Sequence, residues 1–241
     1  MHAAQKILSD THNRQYPLPD GGWQLYQEWH NVLMLHWKVS LEEITPLLPA
    51  GLEPDLCHGE AWVSWLSFTV KNTQIRSLLP LPFSGFNEVN LRTYVTCNGR
   101  PGIYMFKIEA NKLSAVLLNR LITSIPYTKS RIDANEGSVK ILNRAKAYTT
   151  NLNYCYTEAI SSKSYLDYWL TERHCLYVLN NNKLCGYNIH HKEWNLNDAI
   201  VSVYRLRYKV GGLTIGKHRL EKKHFSKKIR VLVWPKELIS T

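Results

Sequence analysis

Asn87-Glu88-Val89-Asn90-Leu91-Arg92-Thr93-Tyr94-Val95 is the stretch whose reading decides the fold. Val, Leu, Thr and Tyr favour a pleated strand, and the apolar residues alternate. A period of two puts Val89, Leu91 and Val95 on one face, and Glu88, Asn90, Arg92 and Tyr94 on the other. On a surface strand the second face meets water. In a closed barrel it points inward and places a carboxylate and a guanidinium in a pocket. Glu88 and Arg92 then stand roughly 13 Å apart along the strand, flanking a polar ligand rather than pairing with each other.

The flanking sequence supports a β-rich reading. The spacing predicts a strand over 61–70 with both faces apolar: Trp62, Leu66 and Phe68 oppose Val63 and Trp65. Such a strand has a core on one side and a core or apolar pocket on the other. Asn98-Gly99 predicts a tight hairpin after it. Residues 23–38 alternate at length, with Trp23, Leu25, Trp29, Leu33, Leu35 and Trp37 opposite Gln24, Glu28, His30, His36 and Lys38. This reads as a half-buried strand or a bent strand pair. Ser40 with Glu43 makes a capping box for a helix over 41–48. Leu113, Val116, Leu117 and Leu121 form a helical stripe over 112–123, expected to be the buried face. Strands are expected over 125–132 and 139–149, and a short helix over 164–170. A second hairpin is expected over 174–190, turning at Asn180-Asn181-Asn182, with a last strand over 229–233. The segment with Pro80, Pro82 and Gly85 reads as a loop at a barrel mouth. No repeat and no shift in composition divides the chain. Residues 1–19 read as an N-terminal tail or strap, and residues 20–241 as one domain.

The chain has 241 residues and a formal net charge of +11, with 14 Tyr and 8 Trp. The aromatic content suits β structure and apolar pockets. Cys57, Cys97, Cys155, Cys175 and Cys185 are odd in number and include no Cys-x-x-Cys pair, so reduced thiols are expected. No signal-peptide core opens the sequence, and no apolar stretch is long enough to span a bilayer. These features predict a cytoplasmic protein with no membrane partner. An oligomer is compatible with them. No Gly-x-Ser-x-Gly, Walker or dinucleotide motif is present, and no metal-ligand spacing, so neither cofactor nor metal is expected. His30 and His36 share a predicted face but lie too far apart along one strand to hold one metal, unless a bend between them brings them together.

Ordered blocks of the sequence resemble the bacterial YqjF-like family of uncharacterised proteins. They are Trp29-His30 with His36-Trp37, Leu47-Leu48-Pro49-Ala50-Gly51-Leu52, Gly59-Glu60-Ala61-Trp62-Val63, the Glu88–Val95 block, Pro126-Tyr127, His224-Phe225-Ser226 and Val231-Leu232-Val233-Trp234-Pro235. That family is similar in fold to acetoacetate decarboxylase. The resemblance implies a mainly β (α+β) protein, a closed or cone-shaped antiparallel β-barrel with a few short helices and a central cavity. In the decarboxylases a lysine of a Phe-Pro-Lys-Lys motif forms a Schiff base with a β-keto acid. Here the matching element is Ile125-Pro126-Tyr127-Thr128, so the expected lysine is absent.

The expected working site is therefore the barrel cavity, binding or transforming a small organic ligand, carboxylated or aromatic. Arg92, Tyr127, His30 and Asn90 are the candidate binding residues. Glu88 is the candidate proton acceptor, and the resemblance places an acidic residue in a similar block. Lys129 shares a predicted face with Tyr127 and Arg131. Inside the cavity, beside the Arg131 cation, it would be a displaced nucleophile with a lowered pKa; at the barrel rim it would be solvated. An enzyme here would be a divergent decarboxylase-, lyase- or hydrolase-like one, and a binder without turnover is favoured slightly over a Schiff-base enzyme. The alternative is a basic protein that binds nucleic acid through Lys217, Arg219, Lys222, Lys223, Lys227, Lys228 and Arg230. The competing reading of that run is a solvated loop before the last strand.

Overall fold

The computed structural model describes residues 2–76, 85–143, 148–216, 218 and 220–239. Its strands are β1 (Leu25–Val39), β2 (Glu53–Pro54), β3 (Ala61–Ile75), β4 (Phe86–Cys97), β5 (Arg100–Ala110), β6 (Thr128–Lys129), β7 (Ile132–Asn135), β8 (Ser138–Asn143), β9 (Tyr148–Ala159), β10 (Cys175–Asn180), β11 (Lys183–His191), β12 (Asn197–Val210), β13 (Leu213–Gly216) and β14 (Leu220–Leu238). The helices are α1 (His2–Leu8), α2 (Leu41–Ile44), α3 (Leu113–Thr123) and α4 (Tyr165–Thr171).

Seven strands close a barrel in the order β1-β3-β4-β5-β10-β11-β14, and β14 pairs back onto β1. Every barrel contact is antiparallel except the β5–β10 seam, which is parallel. Beyond β14 the sheet continues through β12, β9, β8 and β7, with β13 folded onto β12. This extension packs its apolar face on the outside of β1, β3 and β4. There are thus two main cores, one inside the barrel and one between barrel wall and extension. β3 serves both. Trp62, Leu66 and Phe68 face the interior, and Val63 and Trp65 face the extension, which accounts for its two apolar faces.

Turn chemistry fixes the hairpins. Asn98 and Gly99 join β4 to β5 with φ of 49° and 74°. Asn181 and Asn182 join β10 to β11 with φ of 49° and 59°. Two successive left-handed residues match the twist of a tight hairpin, and Asn and Gly tolerate them best. The capping boxes of α2 at Ser40 and Glu43, and of α4 at Ser164 and Asp167, satisfy the first free amides of those helices. α2 stops at Ile44 and continues as a single 3₁₀ turn, Thr45–Leu47.

The long alternation in β1 reverses partway. Asn31 has φ of 52°, and the β1–β3 register slips by one residue between His30 and Leu33. Before this bulge the odd residues Leu25 and Trp29 pack into the barrel; after it the even residues Val32 and Met34 do. Leu33, Leu35 and Trp37 turn to the extension. β14 reverses with it, so Phe225 faces the extension while Ile229, Val231 and Val233 face inward. His30 and His36, expected on one face, are therefore on opposite faces.

The helical stripe over 112–123 is placed differently from expectation. Ala115, Val116, Asn119 and Thr123 are the buried residues of α3, while Leu113, Leu117 and Leu121 are exposed, Leu121 by 82%. Asn119 Nδ2 donates to Ala115 O at 2.9 Å, and Thr123 Oγ1 to Asn119 O at 2.6 Å. With their polar atoms satisfied within the helix, these small side chains can cover the barrel. Residues 125–132, expected as one strand, divide into β6 and β7. The N-terminal segment forms α1, whose Ala4 and Ile7 pack on Tyr26, Leu232 and Trp234 outside the barrel. Pro80 and Pro82 of the expected mouth loop lie outside the described residues.

The parallel seam depends on a close approach at Gly102. A Cβ there would meet Tyr177 Cε2 at 2.6 Å and the Cys175 carbonyl at 2.7 Å. Gly102→Ala is expected to lower stability by about 1–3 kcal/mol through overpacking. Urea denaturation reads this directly, and a change within about 0.5 kcal/mol would mean the seam can open without cost.

Candidate functional site

The barrel interior holds a cavity with about 50 Å³ of free space, room for a few waters or one compact ligand. Leu25, Ile103, Ile108, Leu176 and Ile189 make most of its wall apolar. The inward face of β4 supplies the polar end: Glu88, Asn90 and Arg92 all line it. Glu88 is 3% exposed and Arg92 4%. The alternation of the opening stretch thus runs into the barrel. Val89 and Leu91 take the opposite side, against the extension.

Tyr127 enters the cavity from the turn after α3. Its hydroxyl donates to Glu88 Oε2 at 2.8 Å, and Asn90 Nδ2 donates to Glu88 Oε1 at 3.2 Å. Burial pushes the Glu88 carboxyl up to about 7, against the lowering effect of those two hydrogen bonds. Burial, and next the neighbouring Glu88, hold the Tyr127 phenol well above its ordinary value. A carboxyl poised near neutrality can donate or accept a proton at working pH.

Two guanidiniums reach the same space. Arg92 is buried with its Nε lacking a hydrogen-bond partner among the described residues. Burial lowers its pKa from the ordinary value, and the Tyr94 hydroxyl opposes this. Arg173 lies over the Trp169 ring at 4.3 Å and bonds Asp55 Oδ2 through Nη1 at 2.5 Å, and its Nη2 is also without a partner among the described residues. Gln27 Nε2, Trp194 Nε1 and Asn90 Oδ1 are likewise unpartnered, on residues that line the cavity. Unsatisfied buried donors are costly, and four of these five atoms are side-chain donors on residues that line one small space.

Glu88, Asn90, Arg92 and Tyr127 are therefore brought together. His30 and Lys129 are not. The reversal at Asn31 turns His30 to the barrel exterior, where its Nε2 lies 3.3 Å from Glu28 Oε2. Lys129 is exposed and does not line the cavity. Its expected face-sharing with Tyr127 fails for a local reason. The Tyr127 amide donates to Ile125 O at 2.8 Å, a tight turn, and β6 begins only at Thr128, so the period of two does not run from 127 to 129. Arg173 and Gln27 carried little signal. Arg173 follows a helix end with no pattern around it. Gln27 is one polar residue on the apolar side of β1, between Leu25 and Trp29, and could have been noticed there.

Among the described residues one group has metal-ligand spacing, Glu172, His174 and His191. Both Glu172 oxygens already accept hydrogen bonds, from Asn13 at 2.7 Å and from the Trp194 amide at 3.0 Å. The His174 and His191 rings stack at 4.7 Å, and His191 Nδ1 donates to the Lys192 carbonyl, 2.8 Å away. The group fits a hydrogen-bonded core cluster better than a metal site. The basic run lies along β14. Within it Lys222 pairs with Asp167, and Lys228 and Arg230 pair with Glu28. Lys217 and Arg219 lie outside the described residues. No helix among the described residues is long and apolar enough to cross a membrane.

The closed seven-stranded barrel has the acetoacetate decarboxylase-like fold. The chain is similar to the enduracididine biosynthesis enzyme MppR complexed with pyruvate, with a TM-score of 0.61, 12% identity, and 94% of this chain and 93% of that one covered. It is similar to acetoacetate decarboxylase from Legionella pneumophila, with a TM-score of 0.58, 11% identity, and 95% and 94% covered. The chain belongs to DUF2071, a family of uncharacterised conserved proteins, which matches residues 26–229. It is 36% identical over 228 residues to the uncharacterised protein YqjF of Bacillus subtilis (strain 168), covering 90% of this chain and 93% of that protein.

The raised Glu88 carboxyl has a measurable signature. A group whose folded pKa rises from 4.5 to about 7 stabilises the fold fully below pH 4.5 and loses that contribution as pH rises through 7. Glu88→Gln keeps the shape and cannot ionise. Its stability relative to the parent is expected to rise by about 3 kcal/mol between about pH 4 and about pH 8. Denaturant melts at the two pH values test this, and a flat difference would return Glu88 to an ordinary carboxyl.

Proposed function

We propose that the barrel cavity binds a compact organic acid, with Arg92 and Arg173 holding its carboxylate and Glu88, bonded to Tyr127, exchanging a proton with the bound molecule. The observation that carries this reading is the pair of unpartnered guanidinium nitrogens, Arg92 Nε and Arg173 Nη2, lining the same small apolar cavity as a carboxyl raised to about 7. A planar guanidinium matches a carboxylate in shape and charge, and the apolar wall strengthens that attraction. A neutral Glu88 adds no repulsion to an incoming anion. The presence of pyruvate in one structural relative supports the same class of ligand.

The chemistry open to the site is acid–base. No lysine is among the described residues that line the cavity, so carbonyl activation through a Schiff base has no residue to form it. Tyr127 occupies the motif position of the nucleophile and hydrogen-bonds the acid instead. Glu88 in its protonated form can donate to a ligand carbonyl and polarise it. Tyr127 and Asn90 hold both its oxygens in place while it does so. Binding without turnover needs only the cations; turnover needs Glu88 as well.

Pyruvate is the probe for this reading, measured by calorimetry on the full chain. Arg92→Ala is expected to weaken binding by about 2–5 kcal/mol, the cost of breaking a buried charge pair. Charge reversal at Lys223 and Lys227 is expected to leave it unchanged. Salt-sensitive binding of a mixed-sequence DNA duplex that survives Arg92→Ala and is lost on charge reversal would replace the cavity reading with the nucleic-acid one. Borohydride reduction with acetoacetate is expected to leave the chain unmodified at residues 127 and 129.

A further inference from the structure

A second polar system lies inside the barrel, next to Arg92. Asp167 Oδ1 accepts from His224 Nε2 at 2.8 Å. His224 Nδ1 meets His36 Nε2 at 3.1 Å, and His36 Nδ1 meets Ser64 Oγ at 2.6 Å. Ser64 Oγ meets the Tyr94 hydroxyl at 2.6 Å, which is also 2.9 Å from Leu170 O. α4, β14, β1, β3 and β4 each give one side chain. His36, Ser64 and His224 are fully buried, and Tyr94 and Asp167 nearly so. At one end, half-buried Lys222 touches Asp167 at 2.9 Å and gives the chain an edge toward water. At the other, Tyr94 faces the Arg92 guanidinium, and Ser64 stands opposite Arg92 in the β3–β4 register.

We propose that this chain, Asp167–His224–His36–Ser64–Tyr94, is a proton-linked positioning device for Arg92, in which the proton count at the His224 end sets the direction of every hydrogen bond along it. The proposal deepens the cavity reading and rests on it only for what Arg92 is for.

The argument is one of donor counting. With both His224 nitrogens protonated, His224 donates to Asp167 and to His36 Nε2. His36 then carries its own proton on Nδ1 and donates to Ser64. Ser64 donates to the Tyr94 oxygen, and Tyr94 donates to Leu170 O. Every buried polar atom in the chain is satisfied. With one proton fewer in the chain, the bonds between its side chains are kept only if they run backwards. His36 donates from Nε2 to His224, Ser64 donates to His36, and Tyr94 donates to Ser64, giving up its bond to Leu170 O. The two arrangements differ by that one proton. In the first, Ser64 occupies a lone pair of the Tyr94 oxygen, and in the second both lone pairs are left to Arg92. Networks of this kind act as a unit because each bond polarises the next.

The surrounding charges favour a neutral His36 in either arrangement. Burial, then His224, Arg92 and Lys222, hold its pKa well below the ordinary value. Burial works to raise the Asp167 carboxyl, but His224, Lys222 and Ser164 together hold it well below the usual carboxylate range. His224 itself is faced by Asp167 from α4, by His36 from β1, and by Lys222 of its own strand through Asp167, and its register partner on β12, Asp198, is exposed.

The test is ¹⁵N NMR on the full chain, labelled at histidine and arginine, with no ligand added. The His36 tautomer and the Arg92 Nε–H resonance are expected to change together in one pH titration. Lys222→Gln removes a cation from the Asp167 end and is expected to move that common midpoint to higher pH. Asp167→Asn is expected to move it lower, by about one pH unit or more. Ser64→Ala breaks the chain in the middle, so the His36 tautomer should still switch while Arg92 no longer follows. An Arg92 signal that ignores pH in the parent chain, or that keeps following His36 in Ser64→Ala, would overturn the proposal. Asp167 also caps α4, so Lys222→Gln carries the test if Asp167→Asn does not fold. Because no ligand is present, a cavity that fails to bind pyruvate leaves these outcomes intact.

Discussion

Closing a sheet on itself makes the side-chain period of two unforgiving. Each barrel strand must send alternate residues inward, and a single slip exchanges core for surface along the rest of the strand. In β1 that slip is built in at Asn31, whose left-handed backbone lets one extra residue into the β1–β3 ladder. β14 reverses beside it. Trp29 and Met34 consequently share an interior although their numbers differ in parity. His36 and His224 meet at the same wall, and His30 is sent outside to Glu28. The extension rests on Leu33, Leu35, Trp37 and Phe225, the residues that the reversal released from the interior. One backbone conformation thus sets the core, the partner sheet and the polar chain.

The interior then has to accommodate ionisable groups. An isolated charge in an apolar medium is costly enough that it finds partners or loses its charge. Arg173 is held by Asp55, the Trp169 carbonyl and two aromatic rings. Glu88 has only neutral donors, and its pKa rises to about 7. Glu28, on the outer face, has Lys228 and Arg230 beside it and stays well below the ordinary carboxylate range despite burial. The contrast between these two carboxyls is one of neighbours. It leaves the cavity with two guanidiniums and a carboxyl that carries less charge at neutral pH than an ordinary glutamate.

The sequence made much of this architecture readable wherever short-range rules decide. The β4 alternation, the Asn98-Gly99 turn, the two-faced β3 and the Ser40 capping box follow from period, turn chemistry and side-chain reach. The inward placement of Glu88, Asn90 and Arg92 followed from the same alternation once closure was implied. What resisted reading was non-local. Nothing in residues 25–39 marks Asn31 as a bulge, because an asparagine in a strand is ordinary until its neighbours are known. The α3 leucines misled because self-satisfied Asn119 and Thr123 took the inner face. Lys129 misled because a turn at Tyr127 broke a period that looked continuous. Asp167 was readable as a cap of α4, but its second oxygen and His224 are 57 residues apart in sequence, and only the closed barrel joins them.

The cavity is small and its polar end is almost wholly screened from water. A ligand seated at Arg92 would give up its water shell there and receive only the guanidinium and the Glu88 carboxyl in exchange, so small differences in its charge and shape would weigh heavily on whether it stays.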